Sequence, residues 1–480
     1  MKAMRAERKK GLIIASGVVA LFVIAAIVVV SLFDINSYKS KIETVASVTT
    51  GLDVKINGKM GLSFFPFGIS AKDVHVAGKG GGILSLERLK LGAELMPLLR
   101  KQLKVTGCEL VKPAITIVKN ADGKYNFEST EKKSTKGGPG TAFSLNELKL
   151  SKGSLIYLDK KTGEKTELKE IDLVVKDLSI TDTSGDIIKH ISFVGTMDCK
   201  EVLQKDLKID SIRSGIKAEK GVFYLKPLTM DIFGAKGEGD VTANKSEADA
   251  EYKINVNVSK LDFEKLQESF GVKKLISGKG DLAVSLTIKE KGGRSLMNGM
   301  DGTLSLQGNN LVTHTVDLDK VLSTFETSQK SNLVDIGAFF VAGPLGSAAL
   351  KGYRYGDVFY QARGGQGAIT QFVSHWKIKS GEADARDCAF ATRHNRVALK
   401  GKLNLVSERY NNVTVALLDD RGCAKFKQTI SGPFGAPRIG VVSTVESLAS
   451  PILNLYKQAK RFAQSGKCEV FYSGSVQQPR

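Results

Sequence analysis

Five histidines and five cysteines in a chain of 480 residues are enough to build a metal centre or a nucleophilic site, and spacing decides whether one is built. His75, His190, His314, His375 and His394 stand far apart, and none belongs to an HExxH pair, which places two imidazoles one helical turn apart to hold zinc. Cys108, Cys199, Cys388, Cys423 and Cys468 contain no CxxC metal or redox pair. No GxSxG elbow offers a serine on a strand-to-helix turn. Gly78-Lys-Gly80, Gly237-Glu-Gly239 and Gly278-Lys-Gly280 have the glycines of a phosphate loop, yet each precedes strand-like sequence, where a phosphate loop needs a helix N-terminus. Turns or bulges account for them better. Asp and Glu number 50, too many for one pair to stand out. The sequence therefore nominates no catalytic residue, no metal ligand and no cofactor, and it reads as a protein that is not an enzyme.

The stretch that everything else must be placed against is apolar. Residues 11–33, GLIIASGVVALFVIAAIVVVSLF, contain no charge. As a helix they would be about 34 Å long, enough for a hydrocarbon core of roughly 30 Å with some tilt. Lys2, Arg5, Arg8, Lys9 and Lys10 precede them against only Glu7, an imbalance that holds an N-terminus in the cytoplasm and sends residues 34–480 across the membrane. A cleaved signal peptide shares this grammar, but the apolar run is longer than a signal core and SLFDINSYK lacks a small-x-small cleavage site.

The formal charge of +20 would suit nucleic acid or anionic lipid if it were concentrated. Lys is instead scattered, and no aromatic-rich RNA-binding signature or Cys/His finger accompanies it, so nucleic acid is not expected as a partner. Among the cysteines, Cys423 with Cys468 is the candidate disulfide for an exported body, against the alternative of five buried apolar thiols.

Along the chain, Asn36 is placed to cap a short helix with Tyr38, Ile42, Val45 and Ala46 on one face, ending near Gly51. The apolar period then falls from 3.6 to 2. Val54 with Ile56, Leu62 with Phe64, and Val74 with Val76 alternate with polar residues or Gly; later runs follow at Leu86 to Leu91, Leu103 with Val105, and Ile115 with Ile117. Met96 to Gln102 reads as one helical turn. Residues 128–142, ESTEKKSTKGGPGTA, read as a flexible linker. Strands resume through Leu145 and Leu150, and a hairpin is expected around Lys161–Glu164. The clearest alternation is Tyr252, Ile254, Val256, Val258 and then Leu282, Val284, Leu286, Ile288. Helices are few: 261–270, 316–327, 331–340, and an amphipathic one at 444–464.

So much one-sided strand with so little helix must hide its apolar face. A second sheet, closure into a barrel, or a curled groove holding a greasy ligand would each do so, and periodicity alone leaves all three open. In the third case Val54, Ile56, Leu62, Phe64, Ile254, Val256, Leu282, Val284 and Leu286 are the candidate groove lining.

Several segments together resemble the AsmA family of bacterial envelope proteins: residues 50–58 (TGLDVKING), 62–74 (LSFFPFGISAKDV), 96–99 (MPLL), 113–117 (PAITI), 122–127 (DGKYNF), 401–405 (GKLNL) and 430–437 (ISGPFGAP). The likeness covers roughly residues 1–127 and 300–440, while residues 143–300 agree only in strand character. It implies a single-pass inner-membrane anchor, a periplasmic body, and an elongated, curled, mainly β antiparallel sheet whose apolar groove carries phospholipid toward the outer membrane. The expected organisation is a basic cytoplasmic tail (1–10), the transmembrane helix (11–33), an N-terminal AsmA-like β region (34–127), the linker (128–142), a central sheet (143–300), a C-terminal AsmA-like β region (301–443) and an amphipathic helix with tail (444–480). On the order of 25 strands about 4.8 Å apart would extend about 120 Å, so a partner envelope protein or self-association is expected to complete the reach. The competing expectation is a non-transporting envelope scaffold that assists outer-membrane protein assembly.

Overall fold

The computed structural model describes residues 35–64, 67–78, 80–94, 105–127, 143–182, 187–205, 207–269, 276–290, 296–314, 317–328, 365–443 and 468–479. The transmembrane segment with its basic flank, the linker, the turn at 96–102 and the helices expected at 331–340 and 444–464 lie outside them. Among the described residues no helix is long and apolar enough to cross a membrane. Over the described residues the fold is mainly β, with 22 strands, antiparallel pairing and a few short helices. It divides into two compact units, one of residues 1–133 with 157–162, the other of the remainder.

In the first unit a 3₁₀ turn (Ile35–Tyr38) runs into α1 (Lys39–Thr50), followed by β1 (Asp53–Ile56), β2 (Met60–Phe64), β3 (Phe67–Gly78), β4 (Gly81–Ala93), β5 (Val105–Val111) and β6 (Ala114–Lys119). Strand β3 is long enough to pair twice, with β2 through Met60 opposite Ala71 and with β1 through Ile56 opposite Val74. Asp73, at φ 53°, separates the two registers. The alternate residues Ile56, Met60, Ala71, Val74 and Leu86 form a small buried cluster.

Helix α1 does more than precede the sheet. The Val54 amide donates to Ser47 Oγ at 3.0 Å and the Ile56 amide to Glu43 Oε1 at 2.6 Å, while the Met60 amide donates to Asn36 Oδ1 at 2.8 Å. Side chains thus occupy backbone donors that an incoming strand would otherwise use. Glu43→Ala is expected to cost about 1–2 kcal/mol and to release an edge that promotes association. Urea denaturation and light scattering of the variant check both effects.

Two sequence motifs meet in this unit. Asn126, almost fully buried, accepts from the Val118 amide at 3.1 Å and donates to Thr116 O at 2.9 Å, stitching the DGKYNF turn to β6. Gly78 and Gly80 lie directly against it. A Cβ on Gly78 would stand 2.3 Å from the Asn126 carbonyl oxygen, so the first GxG makes room for a close approach of the Asn126 backbone.

The second unit is a meander. Strands β7 (Phe143–Asp159), β8 (Glu164–Ile180), β9 (Ile191–Gln204), β10 (Leu207–Glu219), β11 (Val222–Ile232), β12 (Ala235–Asn244) and β13 (Glu251–Asp262) lead through β14 (Ile276–Ser277), β15 (Lys279–Lys289) and β16 (Met300–Thr313) to β17 (Gly367–Lys379), β18 (Glu382–Ala391), β19 (Arg396–Asn404), β20 (Arg409–Leu418), β21 (Ala424–Pro433) and β22 (Arg438–Ile439). From β8 onward each pairs with the next, except that short β14 is set against β16 and β13 pairs with β15.

Among its described residues this unit has α2 (Ile187–His190), α3 (Phe263–Ser269), α4 (Leu318–Ser328) and a 3₁₀ turn (Leu296–Gly299). Asp262 caps α3 through the Glu264 amide at 2.9 Å, and Asp317 caps α4 through the Asp319 and Lys320 amides at 3.1 and 3.2 Å. Phe263 and Leu266 of α3 and Leu318, Val321 and Leu322 of α4 pack into the main core with Leu306, Leu311, Phe372, Trp376 and Phe390. Phe263 meets Phe372 edge-on, with ring centroids 6.0 Å apart.

The other face of β17–β21 is lined by Ala389, Ala391, Ala398, Ala416 and Ala424, small enough to admit the C-terminal segment 468–479 as a strap. Tyr472 and Val476 fill the trough. The Tyr472 hydroxyl donates to Asp387, the Val476 amide donates to that same hydroxyl oxygen at 3.0 Å, and Arg396 Nη1 donates to Val476 O at 3.2 Å. Burial, with the Asp387 carboxylate beside it, pushes the Tyr472 phenol far above its ordinary range. Cys423 and Cys468 are joined at the entrance of the strap, Cα atoms 6.2 Å apart.

Candidate functional site

The apolar face of the second unit is organised in rows that cross the strands. Val256, Val284, Leu304 and Trp376 stand opposite one another from β13 to β17. Along that row burial deepens, from half-buried at Val256 and Val284 to 6% exposed at Leu304 and 1% at Trp376. The neighbouring row of Ile254, Leu286, Gly302 and Ile378 does the same, ending at a buried Ile378. The difference follows what packs on each stretch: Val258, Leu261 and Leu282 share the buried core with α3, α4, Leu306, Phe372 and Trp376, while Val256 and Val284 only border it.

A second set continues across the central strands. Leu168, Val202, Ile209, Ile232 and Ala235 are cross-strand neighbours from β8 to β12, all half-buried. Beside them Ile171, Cys199 and Ile212 form a deeper row. Leu168 and Ile171 share a face although three residues apart, as do Ile209 and Ile212. Glu170 at φ 49° and Ser211 at φ 52° bulge between them and shift the phase by one residue.

The opposite face is charged and mutually paired. Glu201 receives Lys169 at 2.8 Å and Lys208 at 3.2 Å, and these hydrogen bonds hold its carboxyl below the usual range. Lys208, bonded to Asp210 at 3.0 Å and to Glu201, is raised in turn. Such exposed pairs add little stability but keep that face wet.

The expected lining residues separate into two groups. Ile254, Val256, Val284 and Leu286 lie on the half-buried part of the face, and Leu282 sits in the packed core. In the first unit Val54 and Leu62 are half-buried and Ile56 belongs to the small core; the Phe64 side chain lies outside the described residues. The five topology-setting basic residues also lie outside. Strict alternation misses the Leu168 to Ala235 row. The signal that finds it is an apolar spacing of three set between runs of two.

Two constellations invite a chemical reading. His314 Nε2 is 2.6 Å from Ser277 Oγ, and Glu264 Oε1 approaches the same nitrogen at 3.8 Å. A catalytic triad needs its carboxylate on the other ring nitrogen, where it sets the tautomer, so this exposed pair lacks that geometry. Ligand atoms of Asp419, Cys423 and Cys468 lie within 4.8 Å of one another. There the thiols are spent in the disulfide, and the Asp419 carboxylate accepts the Arg421 and Cys423 amides of its own turn at 2.9 and 2.8 Å. Of the other cysteines, burial raises the Cys108 thiol to about 11 and Cys388 further still, which leaves both inert.

An antiparallel sheet with one apolar, partly half-buried face and one charged face marks a mainly β protein with few short helices. The pattern of the AsmA family matches residues 4–201 and 194–342, more than two thirds of the chain, and the chain belongs to that family. The match takes in residues 143–300, where the sequence motifs suggested agreement in strand character alone, and stops short of the motifs at 401–405 and 430–437. No curated protein matches the chain.

Proposed function

We propose that this protein is a single-pass inner-membrane protein whose periplasmic sheet carries phospholipid acyl chains along the half-buried rows of its central strands, in phospholipid transfer and outer-membrane homeostasis. The observation that carries the reading is the change along one cross-strand row from buried Trp376 and Leu304 to half-buried Val284 and Val256. Membership of an envelope family agrees with it. Half-buried Leu, Val and Ile on a rigid pleated surface offer acyl chains apolar contact at about 25 cal/mol per Å² removed from water, while head groups stay solvated.

The second reading is a scaffold for envelope protein assembly. It draws on the close packing of buried side chains across β16–β21 and under the strap. Native mass spectrometry of the full chain released from mild detergent distinguishes the two. Stoichiometric phospholipid is expected. Protein that flies free of lipid under conditions that preserve its fold would favour the scaffold.

A further inference from the structure

The apolar face of the second unit runs out to one rim of the sheet. Beyond the row of Ile254, Leu286, Gly302 and Ile378, the next alternate positions are Tyr252, Ile288 and Met300, cross-strand neighbours and again half-buried. Met300 is the first residue of β16 and packs against the main core. The turns at this rim stay apolar and become exposed. Leu296 and Met297, in the 3₁₀ turn before β16, are 48% and 41% exposed, and Val406, in the β19–β20 turn, is 38% exposed.

These side chains come from remote segments that tight turns bring together. Gly381, at φ 76°, lies between them: a Cβ there would stand 2.3 Å from Met297 O and 2.6 Å from Val406 Cγ2, so a bare glycine is what lets the turns close on one another. Its amide donates to Met300 O and its carbonyl accepts the Leu405 amide, both at 2.9 Å. The Val406 and Ser407 amides donate to Asn404 Oδ1 at 3.1 and 2.8 Å, so the exposed apolar groups sit on pinned backbone. Lys379, Arg409 and Arg438, at the same strand ends, are exposed and take no carboxylate partner among the described residues. Of the nearby acids, Glu382 is held by Lys402 at 2.8 Å and Asp384 by Arg386 at 2.9 Å; Asp301 accepts the Ser380 amide at 2.8 Å and Glu290 the Tyr252 hydroxyl at 3.5 Å, which leaves Glu408. Residues 291–295, between β15 and the 3₁₀ turn, add Lys291 and Arg294 and no acid to the sequence. From β15 to β22 this rim therefore carries an excess of positive charge.

We infer that this rim seats on the surface of an anionic phospholipid bilayer, with Leu296, Met297 and Val406 among the head groups and Lys379, Arg409 and Arg438 on lipid phosphates. The inference deepens the lipid-carrying reading, on which its purpose rests, by naming where the apolar face meets a membrane. A bilayer suits what the rim offers: a few apolar side chains gain by leaving water, and unpaired cations around them gain from a negative surface. A stable protein partner needs roughly 20–30 residues a side, more than these turns present.

The test is tryptophan fluorescence of the full chain held in phosphatidylcholine nanodiscs and mixed with vesicles of dibrominated phosphatidylglycerol or dibrominated phosphatidylcholine, whose bromines quench an indole that enters the bilayer. Leu296→Trp is expected to be quenched by the first and not by the second, once the signal of the buried Trp376, the one native tryptophan, is subtracted. Val441→Trp, at a position 89% exposed and outside the three turns, should stay bright. Lys379→Ala or Arg409→Ala added to the Leu296→Trp chain should each raise the vesicle concentration for half-quenching about fivefold, the worth of one cation near an anionic surface. Equal quenching at positions 296 and 441, or none at 296, would overturn the inference. So would an indole at 296 that is shielded by self-association without vesicles and indifferent to them, which would give the rim to a second copy of the chain. Adding Val284→Asp separates the rim from the groove: quenching at 296 should persist, and its loss would mean that brominated lipid arrives through the groove and that the rim does not touch the bilayer. Absence of phospholipid from the native mass spectrum removes the groove and leaves quenching at 296 to decide the rim.

Discussion

Leu306→Asp is expected to unfold the second unit, whereas Val284→Asp, on the next strand of the same face, is expected to leave it folded and strip it of lipid. Leu306 is 1% exposed and sits under α3 and α4 with Trp376 and Phe372. A carboxylate placed there has no partner and no water, and the loss should exceed about 4 kcal/mol, at the far end of what single substitutions do. Val284 is half-buried, in the row with Val256. Its carboxylate can reach water, so the folding penalty should stay at about 1–2 kcal/mol, mostly lost apolar burial. The same charge in the path of an acyl chain has no such escape. Circular dichroism melts report the first quantity and the lipid-bound fraction in native mass spectra the second. If both variants unfold equally, Val284 is ordinary core and the central rows are not a lipid surface.

The second large effect concerns the strap. Cys423→Ser is expected to destabilise the second unit by about 4 kcal/mol, the chain-entropy value for opening a loop of this size, since the two cysteines are 45 residues apart. The strap keeps its other ties: the amides of Phe471 and Tyr472 donate to Gly422 O at 2.9 and 3.0 Å, and the Gln477 amide donates to Gln371 Oε1 at 3.0 Å. Local release should therefore precede global unfolding in the variant. Hydrogen exchange at residues 468–479 would show it as accelerated opening, with the β17–β21 amides following later. A wild-type rate at the strap after this substitution would mean that the side-chain contacts of Tyr472 and Val476 hold it unaided.

Much of the local architecture is legible from residue order. The alternation at 252–258 and 282–288 becomes β13 and β15, with Val256 opposite Val284. The helices expected at 261–270 and 316–327 form as α3 and α4, each begun by an aspartate whose short side chain reaches the free amides of the first turn. Family membership was legible as well, because turn and strand motifs recur in a set order. Other features were not. Bulges at Glu170 and Ser211 shift the apolar phase, and no residue type marks an αL position in the way that glycine does. Gly78 and Asn126 explain one another only once segments 48 residues apart in sequence are side by side.

Periodicity determined by itself that this chain makes strands with one oily face, since the two sides of a pleated strand are written into alternate residues. How deeply any part of that face is covered was decided by tertiary structure alone. Val284 and Leu304 are chemically alike and stand opposite each other, yet one is half-buried and the other buried, because Leu304 is a member of the core that α3, α4 and the strands from β13 to β21 build together and Val284 only borders it. Burial is a property of what packs on a residue from elsewhere in the chain, and no local pattern encodes it.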